Sequence, residues 1–491
     1  MIKKMITCFI PFVSQEQVAL TLLELKKSEQ IKHIYLLVTD TAKIAEIGEC
    51  EYIEIDFLNS TSAYRTIAAH VKTKFAVIYT KYTTLEPGQF LWERMIQIAE
   101  DTQAGMLYAD HYQVIDDCRK PAPVIDYQKG SLRDDFDFGS VLFFNAALLK
   151  KVVAEMDIDY QYAGLYDLRL RVSEKAELVH INEYLYAEVE LDTRKSGEKQ
   201  FDYVNPRNRA VQIEMERVCT AYLKRIGGYL SPNFETINFN SGSIFSVEAT
   251  VIIPVRNRIR TIEDAIRSVL SQQTNFSYNL IIVDNHSTDG TTEMITKYAE
   301  DKRVIHVIPE RTDLGIGGCW NVGIHHAQCG KFVVQLDSDD VYSGTDTLQK
   351  IVDAFYEQNC AMVVGTYRMT NFQMEEIPPG IIDHREWTPE NGRNNALRIN
   401  GLGAPRAFYT PVLRKINLPN TSYGEDYALG LRISRIWQIG RIYDVLYLCR
   451  RWEDNSDAAL DIVKMNNHNT YKDRIRTWEL QARIALNKSH G

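Results

Sequence analysis

The chain reads KFVVQLDSDD from residue 331 to residue 340. Its run Phe332–Leu336 has the length and the branched residues of a buried strand. Asp337, Asp339 and Asp340 follow directly, and carboxylates this close repel each other unless a cation or water screens them. Two carboxylates with a diphosphate and water make a hard-oxygen site that suits Mn²⁺ or Mg²⁺. The alternative is a solvated acidic turn in which one Asp caps the next helix.

A similar strand occurs in the first half of the chain, where residues 74–79 read KFAVIY. Leu170–Ser173 likewise resembles Leu431–Ser434, and a Leu-Tyr pair follows both segments at a similar distance. These landmarks keep the same order in both halves, which indicates two divergent copies of one domain. Chance similarity is the alternative. Residues 226–246 are rich in turn-forming residues, so we predict domains at 1–225 and 247–491 with a linker between them.

Both halves begin with alternating strands and helices. In the second half, the strand that ends near Pro254 precedes a helix with Thr261 as N-cap and Asp264 three residues later, a capping-box pattern. This alternation predicts two tandem α/β domains, each a mostly parallel sheet flanked by helices with right-handed crossovers. Ligands of such sheets bind beyond the carboxyl ends of the strands, where the unusual polar residues of the second half lie.

Composition and charge limit the classes of protein. The 491 residues are 45% hydrophobic and 25% charged, which are ordinary globular values. A net charge of −9 argues against nucleic acid as a partner. No window approaches the ~18 consecutive apolar residues of a membrane span, and the eight cysteines lack zinc spacing. The apolar run Met5–Val13 mimics a short signal peptide, but Pro11 favours a first strand. We therefore expect a cytoplasmic protein whose only membrane contact is peripheral.

Three more motifs place polar residues at predicted strand or helix ends. Asp284 ends a strand, where it could accept a hydrogen bond from a nucleotide base or form an Asx turn. Glu425 and Asp426 open a helical run, where they complement the helix dipole or supply a general base. Arg450 and Arg451 follow a strand and could hold a diphosphate or belong to a surface charge cluster.

The glycine-rich stretch LGIGGCWN at residues 314–321 invites a dinucleotide-binding interpretation. Trp320 stands where that fingerprint needs its third glycine, which excludes a Rossmann oxidoreductase. The histidines of the second half show no metal-ligand spacing.

Five motifs in this order resemble the family 2 glycosyltransferases, which have the GT-A fold. They are VIIPVRN (251–257), IVDNHSTDG (282–290), the segment 317–323, LDSDD (336–340) and GED (424–426). The resemblance covers about residues 247–457. It implies inverting, metal-dependent transfer of a sugar from a nucleotide-sugar to a hydroxyl of a glycan or glycolipid acceptor, in surface polysaccharide biosynthesis. A UDP-sugar is the expected donor, with GDP and dTDP left open.

The resemblance also implies residue roles. Asp284 is similar to the acid that recognises the nucleotide base, and Asp339 to the acid that binds Mn²⁺ or Mg²⁺ together with Asp337. Asp426 resembles the acid that deprotonates the acceptor hydroxyl, with Glu425 beside it. The expected nucleotide-sugar contacts are Pro254, Val255, Asn257, Asp284, Asn321, Asp337, Ser338, Arg450 and Arg451.

Two features depart from the family pattern. Cys319 and Trp320 stand where many members carry Ala-Arg before the Asn, which leaves open what contacts the donor there. Many members also carry a histidine that helps to close the metal site after the second acidic pair. No histidine follows between Arg450 and Asp457, so one metal ligand stays unassigned.

The first half lacks these acids. Aligning Lys74 with Lys331 and Leu170 with Leu431 gives the counterparts of the site acids, and they are Thr80 for Asp337, Tyr82 for Asp339, Gly164 for Glu425 and Leu165 for Asp426. We therefore expect residues 1–225 to form a degenerate, non-catalytic copy. The alternatives are a bifunctional two-site glycan polymerase, a non-catalytic nucleotide- or glycan-binding protein, and a nucleotidyltransferase, although the last lacks a glycine-rich phosphate loop.

Overall fold

The computed structural model describes residues 4–46, 50–115, 118–189, 208–240, 244–452 and 461–490. They form two compact units, and each unit contains one nine-stranded sheet. Unit 1 takes the described residues up to 189 together with 209–229 and 461–490. Unit 2 takes the described residues between 230 and 452.

Unit 1 has a buried central strand and helices on its sheet. Its strands are β1 (Ile6–Phe12), β2 (Ile31–Val38), β3 (Glu51–Glu54), β4 (Phe75–Tyr79), β5 (Leu85–Pro87), β6 (Met106–Ile115), β7 (Cys118–Ala122), β8 (Val141–Asn145) and β9 (Leu178–Val189). Its helices before unit 2 are α1 (Gln15–Lys27), α2 (Thr61–His70), α3 (Leu91–Thr102), α4 (Ala146–Ala154), α5 (Gly164–Ser173) and α6 (Arg209–Arg225). The strand order is β3-β2-β1-β4-β8-β6-β9-β5, with β7 paired to β6.

Unit 2 follows the same plan. Its strands are β10 (Ala249–Val255), β11 (Tyr278–Asp284), β12 (Val304–Val307), β13 (Phe332–Gln335), β14 (Val341–Tyr342), β15 (Met362–Thr370), β16 (Glu376–Ile382), β17 (Arg406–Tyr409) and β18 (Ile439–Arg450). Its helices are α7 (Ile262–Leu270), α8 (Thr291–Thr296), α9 (Ile316–His325), α10 (Thr347–Gln358), α11 (Gly392–Asn395), α12 (Thr410–Ile416) and α13 (Glu425–Ser434). The strand order is β12-β11-β10-β13-β17-β15-β18-β14, with β16 paired to β15.

The two strand orders are identical when each strand of unit 1 is matched with the strand nine places later. The register agrees as well. Phe75 pairs with Ile6 and Asn145, and its counterpart Phe332 pairs with Ala249 and Tyr409. The structure therefore confirms two divergent copies of one domain and the alignment of Lys74 with Lys331.

The sheets place the carboxyl ends of several strands at one edge. In unit 2, β10 pairs in parallel with both β11 and β13, and β15 pairs in parallel with β18. Strand β17 runs antiparallel between β13 and β15. Six of the nine strands in each unit thus share one direction, which confirms the predicted fold class of two tandem α/β domains with mostly parallel sheets.

The last helix, α14 (Ile462–His490), belongs to unit 1, although we predicted that the second domain extends to residue 491. Gly130 donates its amide to the Thr477 hydroxyl at 2.9 Å, and Ser131 donates to the Asp473 carboxylate at 2.9 Å. Asp473 and Arg476 form a fully buried ion pair at 2.8 Å. Because this helix buries charged residues, it lacks the apolar periodicity that would have revealed its packing from the sequence.

Two further observations concern the whole described chain. Within the described ranges, no helix combines the length and the apolar character needed to cross a membrane. All eight cysteines lie in those ranges, and none forms a disulfide. The predicted strand near the N-terminus is present as β1, which is buried along its length.

Candidate active site

The acidic turn Asp337–Asp340 follows β13 at the carboxyl edge of the sheet in unit 2. The Gln335 side chain donates to Asp337 Oδ1 at 2.9 Å, and the Asp337 amide donates to the Tyr447 hydroxyl at 3.1 Å. Asp340 is buried and accepts the Arg450 amide at 2.7 Å. These bonds fix the turn and leave Asp337 and Asp339 partly exposed, which places both carboxylates within reach of a ligand.

Arg450 supports this turn from inside the protein. Its side chain is 1% exposed, and it donates through Nε to the Asp339 carbonyl and through Nη1 to the Asp264 carboxylate at 2.7 Å. Thr261 is the N-cap of α7, but its side chain makes no cap hydrogen bond, so the predicted capping box is absent. The Asp264 carboxylate instead accepts the hydrogen bond from Arg450 Nη1. These contacts position the acidic turn and do not support the predicted contact of Arg450 with a diphosphate.

Cationic and aromatic side chains surround Asp339. Trp452 Nε1 donates to Asp339 Oδ2 at 3.2 Å, and Arg258 Nε lies 3.9 Å from the same oxygen. The Arg260 guanidinium stacks over the Trp452 ring at 5.0 Å, and Phe372 meets this ring edge-on. Arginines beside a carboxylate at a strand end provide the positive charge that an anionic ligand such as a diphosphate needs.

The acidic turn carries excess negative charge. Burial raises the pKa of Asp340 well above its ordinary value, and the charges of Asp339 and Asp337 raise it further. Burial also raises the pKa of Asp337, although the Arg406 guanidinium opposes this shift. A cation bound at this turn would relieve the repulsion.

Glu425 and Asp426 are the first two residues of α13, after Gly424 in a left-handed conformation with φ of 76°. Asp426 forms an ion pair with Arg406 at 2.8 Å. Arg406 is the first residue of β17, and the charges of Asp426, Asp337 and Glu425 all act to raise its pKa against the effect of burial. The Arg406 guanidinium therefore lies close to both the acidic turn and the Glu425–Asp426 pair, which are almost 90 residues apart in the sequence.

The two acids of this pair differ in environment. Glu425 is 8% exposed, and its Oε2 atom is buried without a hydrogen-bond partner. Burial and the nearby charge of Asp426 raise the pKa of Glu425 to about 8. Asp426, in contrast, is paired with the Arg406 guanidinium. The two neighbouring carboxylates thus lie in different electrostatic surroundings.

We expect Glu425→Gln to stabilise the protein in a pH-dependent way. The folded pKa is raised from 4.5 to about 8, so the contribution of Glu425 to folding stability is greatest below pH 4.5 and falls as pH rises to about 8. Relative to the Glu425→Gln variant, whose side chain does not titrate, the stability of the wild type falls by about 1.4 kcal/mol per pH unit in this range. Urea denaturation of both proteins from about pH 5 to about pH 8 measures this difference.

Glu293→Gln is the matched control, because Glu293 is an exposed glutamate in the first turn of α8. Its free energy of unfolding should follow the wild-type pH profile. A constant difference between Glu425→Gln and the wild type across this pH range would contradict the raised pKa of Glu425.

The glycine-rich stretch serves packing next to the acidic pair. A Cβ at Gly317 would lie 1.9 Å from the Pro419 carbonyl oxygen and 3.1 Å from Glu425 Cβ. The Gly317 amide donates to the Thr421 carbonyl at 2.9 Å. Helix α9 therefore approaches the segment that leads into α13 closely enough to require glycine.

Asn321 takes part in the same packing. Its side-chain amide donates to the Leu418 carbonyl at 2.8 Å and accepts from the Leu418 amide at 2.9 Å. Both ends of the amide are thus used within the protein. These bonds give Asn321 an anchoring role and do not support its predicted contact with the nucleotide-sugar.

Asp284 is fully buried at the end of β11. Burial alone would raise its pKa, but the neighbouring His306 and hydrogen bonds from Thr292 and Ser287 outweigh burial and hold the pKa well below its ordinary value. The Ser287 amide donates at 3.0 Å and the Thr292 hydroxyl at 2.5 Å. This arrangement favours the Asx-turn alternative, and recognition of a base by Asp284 stays a prediction.

The segment after β10 packs against the same loop. Asn257 has a positive φ of 54°, its amide donates to the Ser287 hydroxyl at 3.0 Å, and its side chain accepts the Thr288 amide at 2.8 Å. The carbonyl of Val255 accepts the Asn285 amide at 2.8 Å, and Pro254 precedes it in the strand. The structure thus brings Pro254, Val255 and Asn257 to the edge where Asp284 ends its strand.

The predicted residues fall into two groups. Asp337, Glu425 and Asp426 lie around Arg406, and Asp339 lies beside Arg258 and Trp452. Asn321 and Arg450 act as supports. Ser338 is buried, Arg451 donates its amide to the Thr370 carbonyl, and their donor contacts stay predictions. Residues 453–457 of the arginine motif lie outside the described residues. Sequence reasoning missed Arg406, Arg258, Arg260 and Trp452 as site residues.

Unit 1 carries uncharged residues at the positions of the site acids and of Arg406. Its strand register and the matching ten-residue helices α5 and α13 define the counterparts. They are Val38 for Asp284, Thr80 for Asp337, Tyr82 for Asp339, Leu142 for Arg406, Gly164 for Glu425 and Leu165 for Asp426. Acids and the central cation are thus replaced by uncharged side chains.

Comparison with known proteins identifies the family of the second unit. Residues 250–415 match the model of glycosyl transferase family 2. This range includes β10, the Asp284 loop, the glycine-rich helix and the acidic turn, and it ends ten residues before Glu425.

Several curated relatives match parts of the chain. TuaG of Bacillus subtilis, named for teichuronic acid biosynthesis, is 35% identical over 24% of this chain and 46% of its own length. A Rickettsia bellii glycosyltransferase is 32% identical over 50% of this chain and 35% of its own. WbaN of Salmonella anatum, an O-antigen chain rhamnosyltransferase, is 29% identical over 24% of this chain and 36% of its own. The matches therefore span less than half of each of these relatives.

Solved structures show partial similarity. TarS of S. aureus in complex with UDP-GlcNAc has 22% identity and a TM-score of 0.38, over 48% of this chain and 72% of that chain. The mannosyltransferase PcManGT of Pyrobaculum calidifontis, in complex with GDP-Man and Mn²⁺, has 17% identity and a TM-score of 0.34, over 59% and 87%. The resemblance seen in the motifs is confirmed by the family match, and unit 2 of this chain is a glycosyl transferase family 2 domain.

Proposed function

We propose that unit 2 transfers a sugar, with inversion at the anomeric carbon, from a nucleoside-diphosphate sugar to a hydroxyl of a glycan or glycolipid. The observation that carries this proposal is the position of Arg406. It joins Asp426 by an ion pair and interacts with Asp337, so the acid for the acceptor and the acids for the donor face one space at the carboxyl edge of the sheet.

Asp426 is the proposed general base. It is the less buried acid of the pair at 28% exposure, and Arg406 holds it in one orientation. A carboxylate held next to an incoming hydroxyl accepts its proton as the new bond to the sugar forms. Glu425, with its raised pKa, is the neutral neighbour that limits charge repulsion in this space.

Asp339 and Asp337 are the residues that would hold a divalent cation. No group of three or more His, Cys, Asp or Glu side chains in the described parts of the chain is placed to hold a metal. That finding fits Mg²⁺ or Mn²⁺, which bind through one or two carboxylates plus substrate phosphates and water. The cation would neutralise charge on the departing nucleoside diphosphate. The crowded acidic turn supplies the oxygen ligands for it.

The protein's own cations complement this role. Arg258 and Arg260 stack on Trp452 next to Asp339, so their guanidinium groups are positioned to contact the phosphates of the donor. Names of relatives support a surface polysaccharide as the product, because two of them are named for teichuronic acid and O-antigen. We further propose that unit 1 is non-catalytic, since its counterparts of the site residues carry no charge.

The test is release of nucleoside diphosphate from a panel of UDP-, GDP- and dTDP-sugars with Mn²⁺. We expect release from one donor, with a UDP-sugar as the first candidate, and its loss when EDTA removes the metal. Proton NMR of the transferred sugar should show the anomeric configuration opposite to that of the donor. Retained configuration would contradict the single displacement. The absence of both nucleotide release and metal-dependent nucleotide binding across the panel would contradict the catalytic assignment.

A further inference from the structure

A cavity in unit 1 lies at the position that the Arg406–Asp426 ion pair occupies in unit 2. Its volume is about 130 Å³, and Leu142 and Leu165 belong to its lining. These residues are the counterparts of Arg406 and Asp426, which form the ion pair at 2.8 Å in unit 2. A partly open and mainly apolar cavity in unit 1 therefore corresponds to the ion pair of unit 2.

Aromatic rings form much of the cavity wall. Phe136 and Phe138 are 6% and 7% exposed, and their ring centroids lie 4.5 Å apart. The Arg169 guanidinium lies over the ring of Tyr166 at 4.6 Å and over that of Phe138 at 5.4 Å. Arg169 also donates to the carbonyl of Ser131 at 3.1 Å, which fixes its plane. The rings and the cation are thus held in place within the unit itself.

Polar groups complete the lining. Asp134, Asn59 and Arg169 also belong to the lining. Aromatic faces accept the C–H face of a sugar ring, and planar carboxylate, amide and guanidinium groups pair with its hydroxyls. A mostly apolar pocket with a few polar groups that fix orientation is the usual construction of a small-molecule site.

The volume selects the size of the ligand. A cavity of about 150 Å³ holds one benzene ring, so this slightly smaller and partly open space admits at most one sugar ring, inserted by one face or edge. Pockets for larger ligands measure about 300–1,000 Å³, which excludes a whole nucleotide-sugar. The loss of the donor acids from unit 1 agrees with this size limit.

We propose that unit 1 binds one pyranose residue of the glycan acceptor in this cavity. Unit 1 would thus hold the glycan at the position that corresponds to the proposed acceptor side of unit 2. The choice of a glycan as ligand rests on the proposed function of unit 2. The cavity and its binding test do not depend on that activity.

The test is saturation-transfer NMR on the full chain with methyl glycosides of glucose, galactose, mannose, rhamnose and N-acetylglucosamine. We expect signal from at least one glycoside, at concentrations up to about 10 mM, which is tenfold above a dissociation constant of about 1 mM. Leu165→Trp should abolish the signal, because Leu165 is half-buried in the cavity lining and indole would fill the space. Met215→Trp fills the same cavity from α6 and should have the same effect.

Leu20→Trp is the matched control, since Leu20 is 59% exposed on α1, and it should keep the signal. The same binding should persist in Asp339→Ala, which separates this site from the activity of unit 2. Signal from none of the glycosides, or full signal in both folded filling variants, would overturn the proposal.

Discussion

Asp426→Asn should lower the turnover number for sugar transfer by about 10³-fold and leave donor affinity within about twofold of wild type. The amide keeps the size of the side chain and can still accept a hydrogen bond from Arg406, whose guanidinium lies 2.8 Å from the carboxylate. It cannot take a proton from the acceptor. Steady-state kinetics at saturating acceptor, with calorimetry for nucleotide binding, measures the two effects separately.

The matched control is Asp353→Asn, which changes an exposed aspartate on α10 of the same unit. Its turnover should equal that of the wild type. Unchanged turnover in Asp426→Asn would remove Asp426 as the base. Parallel loss of turnover and of donor affinity would indicate a structural role for the ion pair with Arg406 instead.

Asp339→Ala should abolish the metal dependence of nucleotide binding. Asp339 is a partly exposed carboxylate of the acidic turn and the proposed ligand of the cation. We expect the affinity for nucleoside diphosphate in Mn²⁺ to fall by at least about 100-fold, or ~3 kcal/mol, to the value found without metal. Calorimetric titration with and without Mn²⁺ measures this change.

The acidic turn should survive this substitution. The Asp337 amide donates to the Tyr447 hydroxyl and Arg450 Nε donates to the Asp339 carbonyl, and neither bond involves the Asp339 carboxylate. The thermal midpoint of unfolding therefore serves as a control and should change little. A nucleotide affinity that still increases with Mn²⁺ in Asp339→Ala would contradict the assignment of the metal ligand.

The duplicated fold could be predicted because its evidence is local. The segments that begin at Lys74 and Lys331 share a strand pattern, and the strand pairing of the two sheets confirms the match. The acidic turn and the GED motif likewise stand beside strand and helix ends that the sequence marks clearly. Short-range patterns thus determined most of the fold and two of the three acidic motifs of the site.

Arg406 could not be predicted, because its role depends on long-range pairing. It reaches the site only because β17 inserts antiparallel between β13 and β15, which lie 27 residues apart in sequence. No local pattern marks that insertion. Helix α14 presents the same difficulty, since its buried face carries Asp473 and Arg476 in place of apolar residues.

Arg450 and Asn321 show a second reason for differences between prediction and structure. Both are polar residues at motif positions, and the sequence cannot show whether such a side chain faces a ligand or the protein. Arg450 supports the acidic turn and Asn321 binds the Leu418 backbone. Each side chain donates to a backbone carbonyl inside the protein. Buried polar groups generally require such partners.

The central claim is that catalysis belongs to unit 2 and not to its degenerate copy. The most direct measurement is nucleotide release from the active donor by the wild type, Asp339→Ala and Tyr82→Ala, because Tyr82 is the counterpart of Asp339 in unit 1. We expect Asp339→Ala to lose about 10³-fold in rate and Tyr82→Ala to stay within about twofold of wild type. Release that persists in Asp339→Ala and is lost in Tyr82→Ala would contradict this account.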